Sequence, residues 1–268
     1  MWKPACNRVM VCLVLCLMVM AIAGTVRADE TVPHVVFLTG EDPHNYEAHE
    51  TVPAFAAWLE EEGLFRTTVS VGEGPLNAHH FPNLDAVADA DVLVIFFRRR
   101  AVTQEQLDII KAHLAAGKPL VGIRTANHAF SVHEDPETGL PDGHVAWWEF
   151  VSDILGCENR GYGPVEPGTS VTPASGVADH PILEGATPLE WHSAGNVYLV
   201  APLLDDEAQV LLWGEVEDRK EPIAWTRTTD DGSPVFYTSL GHPSDFDVPQ
   251  FRRLLVNGIR WAADKTTQ

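Results

Sequence analysis

The sequence predicts an α/β domain built on a mostly parallel sheet. Three observations predict it. Short, almost wholly apolar runs read as strands covered on both faces. Each run alternates with a segment of amphipathic helical spacing. Glycines close those helical segments, where a left-handed residue ends a helix at least cost.

The first strand is His34–Gly40 (HVVFLTG), apolar, β-branched and ended by glycine. Residues 46–62 read as a helix with Val52, Phe55, Ala56 and Leu59 on its inner face and Gly63 just beyond its end. A second strand is expected over 67–71. A third lies at 91–97 (DVLVIFF), followed by a helix capped by Thr103, with Gln106 as the partner of a capping box. Leu107, Ile110 and Leu114 share that helix's inner face, and Gly117 ends it. The next strand is 119–123 (PLVGI). The strands at 34–40, 91–97 and 119–123 are expected to be parallel neighbours.

The second half is more mixed. Residues 144–155 read as a helix closed by Gly156. Residues 161–188 read as loop, with a short strand at 169–172. Strands at 210–213, 223–227 and 235–240 follow at hairpin-like spacing. Asp247 is expected to cap a last helix, with Gln250 three residues on and Phe251, Leu254, Leu255, Gly258 and Ile259 facing inward. Residues 29–268 are expected to form a single domain.

Composition narrows the function. Lys and Arg total 18 against 38 Asp and Glu, a formal net charge of -20. Nucleic-acid partners are excluded on that balance, because phosphate contacts need surplus cations. Lys3 and Arg8 precede an apolar run over 9–24, and Val26-Arg27-Ala28 fits a small-residue cleavage site. The run is shorter than the ~20 residues of a membrane span. Residues 1–28 therefore read as a secretory signal peptide. An exported protein is expected, periplasmic or extracellular, with no membrane attachment after cleavage. Cleavage would leave Cys157 as the one cysteine, so neither a disulfide nor a thiolate zinc site is expected.

In a parallel sheet, ligands sit beyond the carboxyl ends of the strands. The residues after each strand are therefore the candidates. Glu41 and His44 follow the first, and Arg98, Arg99 and Arg100 the third. Arg124, Thr125, Asn127 and His128 follow the strand at 119–123, and His242 follows the last. Arginine forks suit carboxylate, sulfate, phosphate and sugar hydroxyls. Arg98 or Arg99 is expected to face inward. His242, His128 and Glu41 are the candidate proton-transfer groups. Arg124, Arg98, Arg99, His44, Asn127 and His192 are the candidate ligand-binding groups. Trp191, Trp225 and Tyr237 could stack on sugar faces, while His79-His80 reads as surface. No tight metal-ligand spacing occurs, and no cofactor is specified.

Four segments carry a family resemblance. They are PLVGIRTANHAF at 119–130, ADHPILEG at 178–185, PIAWTR at 222–227, and PVFYTSLGHPSDF running on to FRRLLVNGIRWAA, which ends at Ala263. Together they resemble the trehalose-utilisation (ThuA-like) family, from about Val35 to Ala263. The resemblance implies the class I glutamine-amidotransferase-like fold, a doubly wound flavodoxin-like sheet with helices on both faces. It also implies a small-molecule carbohydrate partner, a disaccharide or keto-sugar; a homo-oligomer is possible. Amidotransferases of that superfamily place a thiolate in Gly-Ile-Cys-x-Gly. Here the matching stretch is Gly122-Ile123-Arg124-Thr125-Ala126, and His242-Pro243-Ser244 lacks the orienting carboxylate. No glutaminase activity is expected. Three readings stay open: a sugar-processing enzyme using an Arg/His pocket, a non-catalytic binder of a sugar or anionic saccharide, and a metal-dependent hydrolase using His44, His128 and His242.

Overall fold

The first strand is buried along its whole length because both of its faces carry side chains into a core. A computed structural model describes Met1, residues 32–133 and residues 139–265. The signal-peptide reading of residues 1–28 lies outside the described residues, Met1 apart. The chain from Val32 onward forms one compact unit. Its elements run β1 (His34–Gly40), α1 (Ala48–Glu61), β2 (Arg66–Gly72), β3 (Val92–Phe96), β4 (Val102–Thr103), α2 (Gln104–Ala115) and β5 (Leu120–Ile123). They continue with β6 (His144–Val145), β7 (Thr169–Pro173), β8 (Trp191–Ser193), β9 (Gln209–Val216), β10 (Arg219–Thr228), β11 (Pro234–Thr238) and α3 (Pro249–Lys265). Among the described residues no helix is long and apolar enough to cross a membrane.

The main sheet has the order β2-β1-β3-β5-β11-β10-β9-β7-β8. The first five strands pair in parallel. The remaining pairs are antiparallel. The three predicted parallel neighbours thus stand side by side as β1, β3 and β5. Alternate side chains feed two cores. Val35, Phe37, Val94 and Phe96 pack with Val52, Phe55 and Leu59 of α1 and Leu254, Leu255 and Ile259 of α3. Val36, Leu38, Leu93 and Ile95 pack with Leu107, Ile110 and Leu114 of α2. Helices therefore cover both faces of a doubly wound, flavodoxin-like α/β sheet.

Several local expectations change. The first helix starts at Ala48, because Tyr46 and Glu47 take left-handed φ values of 52° and 51°. Thr103 does cap α2, accepting from the Gln106 amide at 3.3 Å. The Gln106 side chain does not return to close a capping box; it pairs with both backbone groups of Phe81. The helix expected over 144–155 is broken: His144 and Val145 pair with β4, and only Phe150–Leu155 winds, as a wide π turn. Asp247 ends a 3-10 turn, Pro243–Asp247, and Pro249 opens α3 instead. Pro suits that first position, where its fixed φ is already helical. His79, read as surface, is 1 % exposed and packs edge-on against Phe81. Trp225 and Tyr237, suggested as sugar platforms, are fully buried and pack on each other. Trp191 packs against the α1/α3 core.

One glycine sets the distance between α3 and the sheet. A Cβ on Gly258 would lie 2.3 Å from the ring of Phe236 in β11, and that ring is fully enclosed. Overpacking costs about 1–3 kcal/mol, against at most about 1 kcal/mol of helix propensity gained. Gly258→Ala is expected to lower the thermal midpoint, read by circular dichroism. An unchanged or raised midpoint would mean that α3 can shift outward freely.

Candidate functional site

The parallel half of the sheet reverses winding direction between β1 and β3. The loops that leave these strands must part there, which opens a crevice beyond their carboxyl ends. Backbone strain concentrates in the same place. Seven non-glycine residues among those described have left-handed φ, and five of them, Tyr46, Glu47, Arg99, Arg124 and Phe130, lie in the loops after β1, β3 and β5. Such conformations cost about 1–3 kcal/mol each and persist where the surroundings enforce them, typically at functional sites. Asn45 ties the three strand ends together. Its amide donates to Gly40 O at 2.9 Å and Phe96 O at 3.2 Å, and its carbonyl accepts from the Thr125 hydroxyl.

The three successive arginines after β3 separate in role. Arg100 is 1 % exposed, donates to Glu41 O at 2.7 Å and lies 3.5 Å from the Asp42 carboxylate. Arg98 faces the other Asp42 oxygen at 3.5 Å and lines a cleft of about 330 Å³. Arg99 lines a larger cleft of about 630 Å³. The expectation that Arg98 or Arg99 faces inward thus meets a split. Both reach clefts, and the residue buried to anchor the loop is Arg100.

His128 and Tyr162 line both clefts and form the wall between them. Their rings stack, with centroids 5.6 Å apart and planes 6° from parallel. His128 is 3 % exposed. Its Nδ1 meets Asn127 Oδ1, which can only accept, so Nδ1 carries the proton. Its Nε2 is then an acceptor for the Tyr162 hydroxyl and for the Asn159 amide. The electrostatics agree with this neutral tautomer. Burial, and then the positive charges of Arg99 and Arg98, pull the His128 pKa down to about 3. Such a weak base does not shuttle protons well at neutral pH. It is better suited to hold the Tyr162 hydroxyl in place.

Arg124 occupies the strand-to-helix turn after β5, with φ 43°. The turn keeps an elbow shape, yet the side chain is turned away from solvent. It is 1 % exposed, donates to Ser239 O at 2.7 Å and Asn196 Oδ1 at 2.8 Å, and lies over the rings of Tyr46 and Tyr198 at 3.9 and 4.9 Å. It supports the cleft wall from behind. The expectation that Arg124 binds ligand directly is therefore corrected: the side chain lines neither cleft, its two Nη atoms are held by internal acceptors, and its Nε is enclosed without a partner.

Three other expectations are corrected. His242 caps the turn that starts at Pro243, with its Nδ1 on the Ser244 hydroxyl at 2.8 Å, and it lines neither cleft. Its pKa is lowered, by burial first. Glu41 is exposed, and its carbonyl oxygen rather than its carboxylate is engaged, by Arg100. His192 is exposed on β8, with its ring against Pro167 O at 2.7 Å, and it lines neither cleft. The structure does bring His44, Arg98, Thr125 and His128 to the smaller cleft, and Arg99, Asn127 and His128 to the larger. His44, His128 and His242 do not converge, and among the described residues no group of three His, Cys, Asp or Glu side chains could hold a metal.

The residues missed from sequence are the aromatic and amide ones. Asn196 and Tyr198 line the smaller cleft, beside Tyr46 from the loop after β1, and Trp148 and Asn159 line the larger. Tyr162 stands in a loop between Gly161 and Gly163 and is 48 % exposed; Trp148 is 51 % exposed. A large aromatic flanked by two glycines was the available signal. Cys157 is no nucleophile here. It is fully buried, and burial raises its pKa to about 12. The arrangement as a whole offers exposed aromatic faces beside amides, hydroxyls and guanidinium groups. That is the chemistry that binds a polyol with an apolar ring face.

A family model described as ThuA, trehalose utilisation, matches residues 34–262. The structure is similar to that of a ThuA-like protein from Bacteroides uniformis ATCC 8492, with a TM-score of 0.63 and 16 % identity over 89 % of this chain and 95 % of that one. It is also similar to a ThuA-like protein from Parabacteroides merdae ATCC 43184, with a TM-score of 0.58 and 15 % identity over 87 % of this chain and 90 % of that one. At these identities the likeness shows the fold. No curated protein matches the sequence.

Proposed function

The chain belongs to the ThuA family, and on that premise we propose that it is an exported protein of carbohydrate catabolism that acts on a disaccharide or keto-sugar in the cleft walled by His128 and Tyr162. The observation that carries this reading is the Tyr162 hydroxyl. It is held on the unprotonated Nε2 of a buried, neutral His128 while its ring stands half exposed in the cleft. Asn159 donates to the same Nε2. The Tyr162 proton can therefore turn to a ligand oxygen without leaving that nitrogen unpaired. Tyr162 would polarise a carbonyl or protonate a leaving oxygen, His128 would position it, and Trp148 would cover a sugar face. A two-carboxylate glycosidase mechanism finds little support: Asp42 faces Arg98 and Arg100, and Glu158 pairs with Arg160 at 3.0 Å. Glutaminase chemistry finds none, since the elbow position holds Arg124 and its side chain is enclosed.

One observation favours a second reading, a non-catalytic sugar binder. A histidine whose pKa lies at about 3 is a poor general base at neutral pH. The two readings separate on a panel of neutral disaccharides and their keto derivatives, with binding read by thermal shift and turnover by chromatography. The enzymatic reading expects turnover, and Tyr162→Phe should slow it about 100-fold or more while the ligand-induced shift persists. Wild-type turnover retained in Tyr162→Phe would overturn the role given to the hydroxyl. Ligand-induced shifts with no turnover would leave the binder.

Export rests on the basic start, the short apolar run and Val26-Arg27-Ala28. Intact mass of the secreted or periplasmic protein is expected to show a chain beginning at Asp29. A mass that includes Met1 would contradict export by this route.

A further inference from the structure

We propose that Arg99 and Asn127 form a subsite for an acidic group on the ligand: a carboxylate, sulfate or phosphate ester carried by the sugar. This rests on the reading of the larger cleft as a sugar site and names the class of sugar it takes.

Arg99 differs from the other arginines around the site. Arg98 and Arg100 have Asp42, Arg160 has Glu158, and Arg124 has Ser239, Asn196 and two tyrosine rings. The Arg99 side chain has no hydrogen-bond or ion-pair partner among the described residues, and its Nε is enclosed without one. A partly enclosed guanidinium is satisfied best by an anion that takes two of its donors.

Asn127 supplies a second donor in the same cleft. It is 1 % exposed, its Oδ1 is taken by His128 Nδ1, and its Nδ2 has no partner. The amide orientation is therefore set by His128, and the group left over is N–H, which suits an acceptor oxygen. The acidic side chain that lines the cleft, Glu158, is neutralised by Arg160. Burial first, and then the charges of Arg99 and Arg98, lower the pKa of His128. The position of Arg99 is enforced. Its backbone holds φ 49°, and its N–H donates to His128 O at 2.9 Å. Trp148 and Tyr162 add aromatic faces in the same cleft for the sugar ring.

The test is isothermal titration of the purified protein with matched pairs: glucose and glucuronate, galactose and galacturonate, and the 6-sulfate and 6-phosphate of each neutral sugar. Inorganic sulfate and acetate are titrated alone as ion controls. At least one acidic sugar is expected to bind ten-fold or more tightly than its neutral partner, with the preference weakening as salt is raised. Arg99→Gln should bring the pair within two-fold of each other, and Arg99→Lys should restore part of the preference. Equal binding of acidic and neutral sugars by the wild type, or an undiminished preference in Arg99→Gln, overturns the acidic subsite and leaves the sugar reading standing. Binding of the inorganic ions with no sugar bound at all overturns both. Should Arg99→Gln not fold, the preference and its salt dependence in the wild type and Arg99→Lys decide.

Discussion

Arg124→Ala is expected to destabilise the fold rather than merely weaken a ligand. The side chain is 1 % exposed and bridges Ser239 O and Asn196 Oδ1 between two tyrosine rings. Truncation leaves the buried Ser239 carbonyl unpaired, at about 1–3 kcal/mol, takes from Asn196 Oδ1 one of the two donors it shares with the Tyr46 hydroxyl, and opens a cavity beneath the cleft wall. A loss of about 3 kcal/mol follows, or roughly 6–12 °C in thermal midpoint for a chain of this size. Chemical denaturation measures it. A variant as stable as wild type, but unable to bind sugar, would return Arg124 to the ligand site and contradict the geometry described for it.

The second large effect is acid destabilisation through two histidines. Burial, followed by Arg99 and Arg98, holds the His128 pKa at about 3, and burial, followed by Arg100, holds that of His79 at about 4. Their ordinary value is 6.5. Both are depressed in the folded state, so below pH 6.5 the unfolded chain binds protons that the folded chain refuses. The stability they confer is whole above pH 6.5 and drains away as pH falls toward 4 and then 3. Each contributes a slope of about 1.4 kcal/mol per pH unit, so the pair removes on the order of 5 kcal/mol between pH 6.5 and 4.5. Urea unfolding across that range should show the steep decline. His128→Gln should remove about half of the slope these two residues cause, because glutamine cannot take up the proton. An unaltered slope would show that His128 titrates normally in the fold.

What could be read from sequence divides along physical lines. β1, β3 and β5 were legible because a strand covered on both faces must be nearly continuous in apolar residues, and Val92–Phe96 (VLVIF) has no other stable reading. The ends of helices were less so. Tyr46 and Glu47 carry no local sign that they will adopt left-handed φ, since the tertiary fold imposes it. The site was legible as a place but not as a set of side chains. The strand-end rule points to the loops after β1, β3 and β5, and residues of those loops line the two clefts. It could not tell which of three successive arginines would be buried against Asp42, nor that the Arg124 side chain would be enclosed behind Tyr46. The tyrosines were invisible for a different reason. Tyr162 reaches the site from the irregular segment before β7 and Tyr198 from the one after β8, and no periodicity marks where such loops return.

Ligand is expected to meet the wall formed by His128 and Tyr162, not the Arg124 guanidinium enclosed against Tyr46 and Tyr198. A crystal structure with the tightest-binding sugar from the panels tests it most directly. A sugar is expected in the cleft of Arg99, Asn127, Trp148 and Tyr162, with a ligand oxygen within hydrogen-bond distance of the Tyr162 hydroxyl. A sugar seated instead against His242 and the Arg124 guanidinium, or in the separate hollow beside Pro181, Arg260 and Trp261, would contradict it.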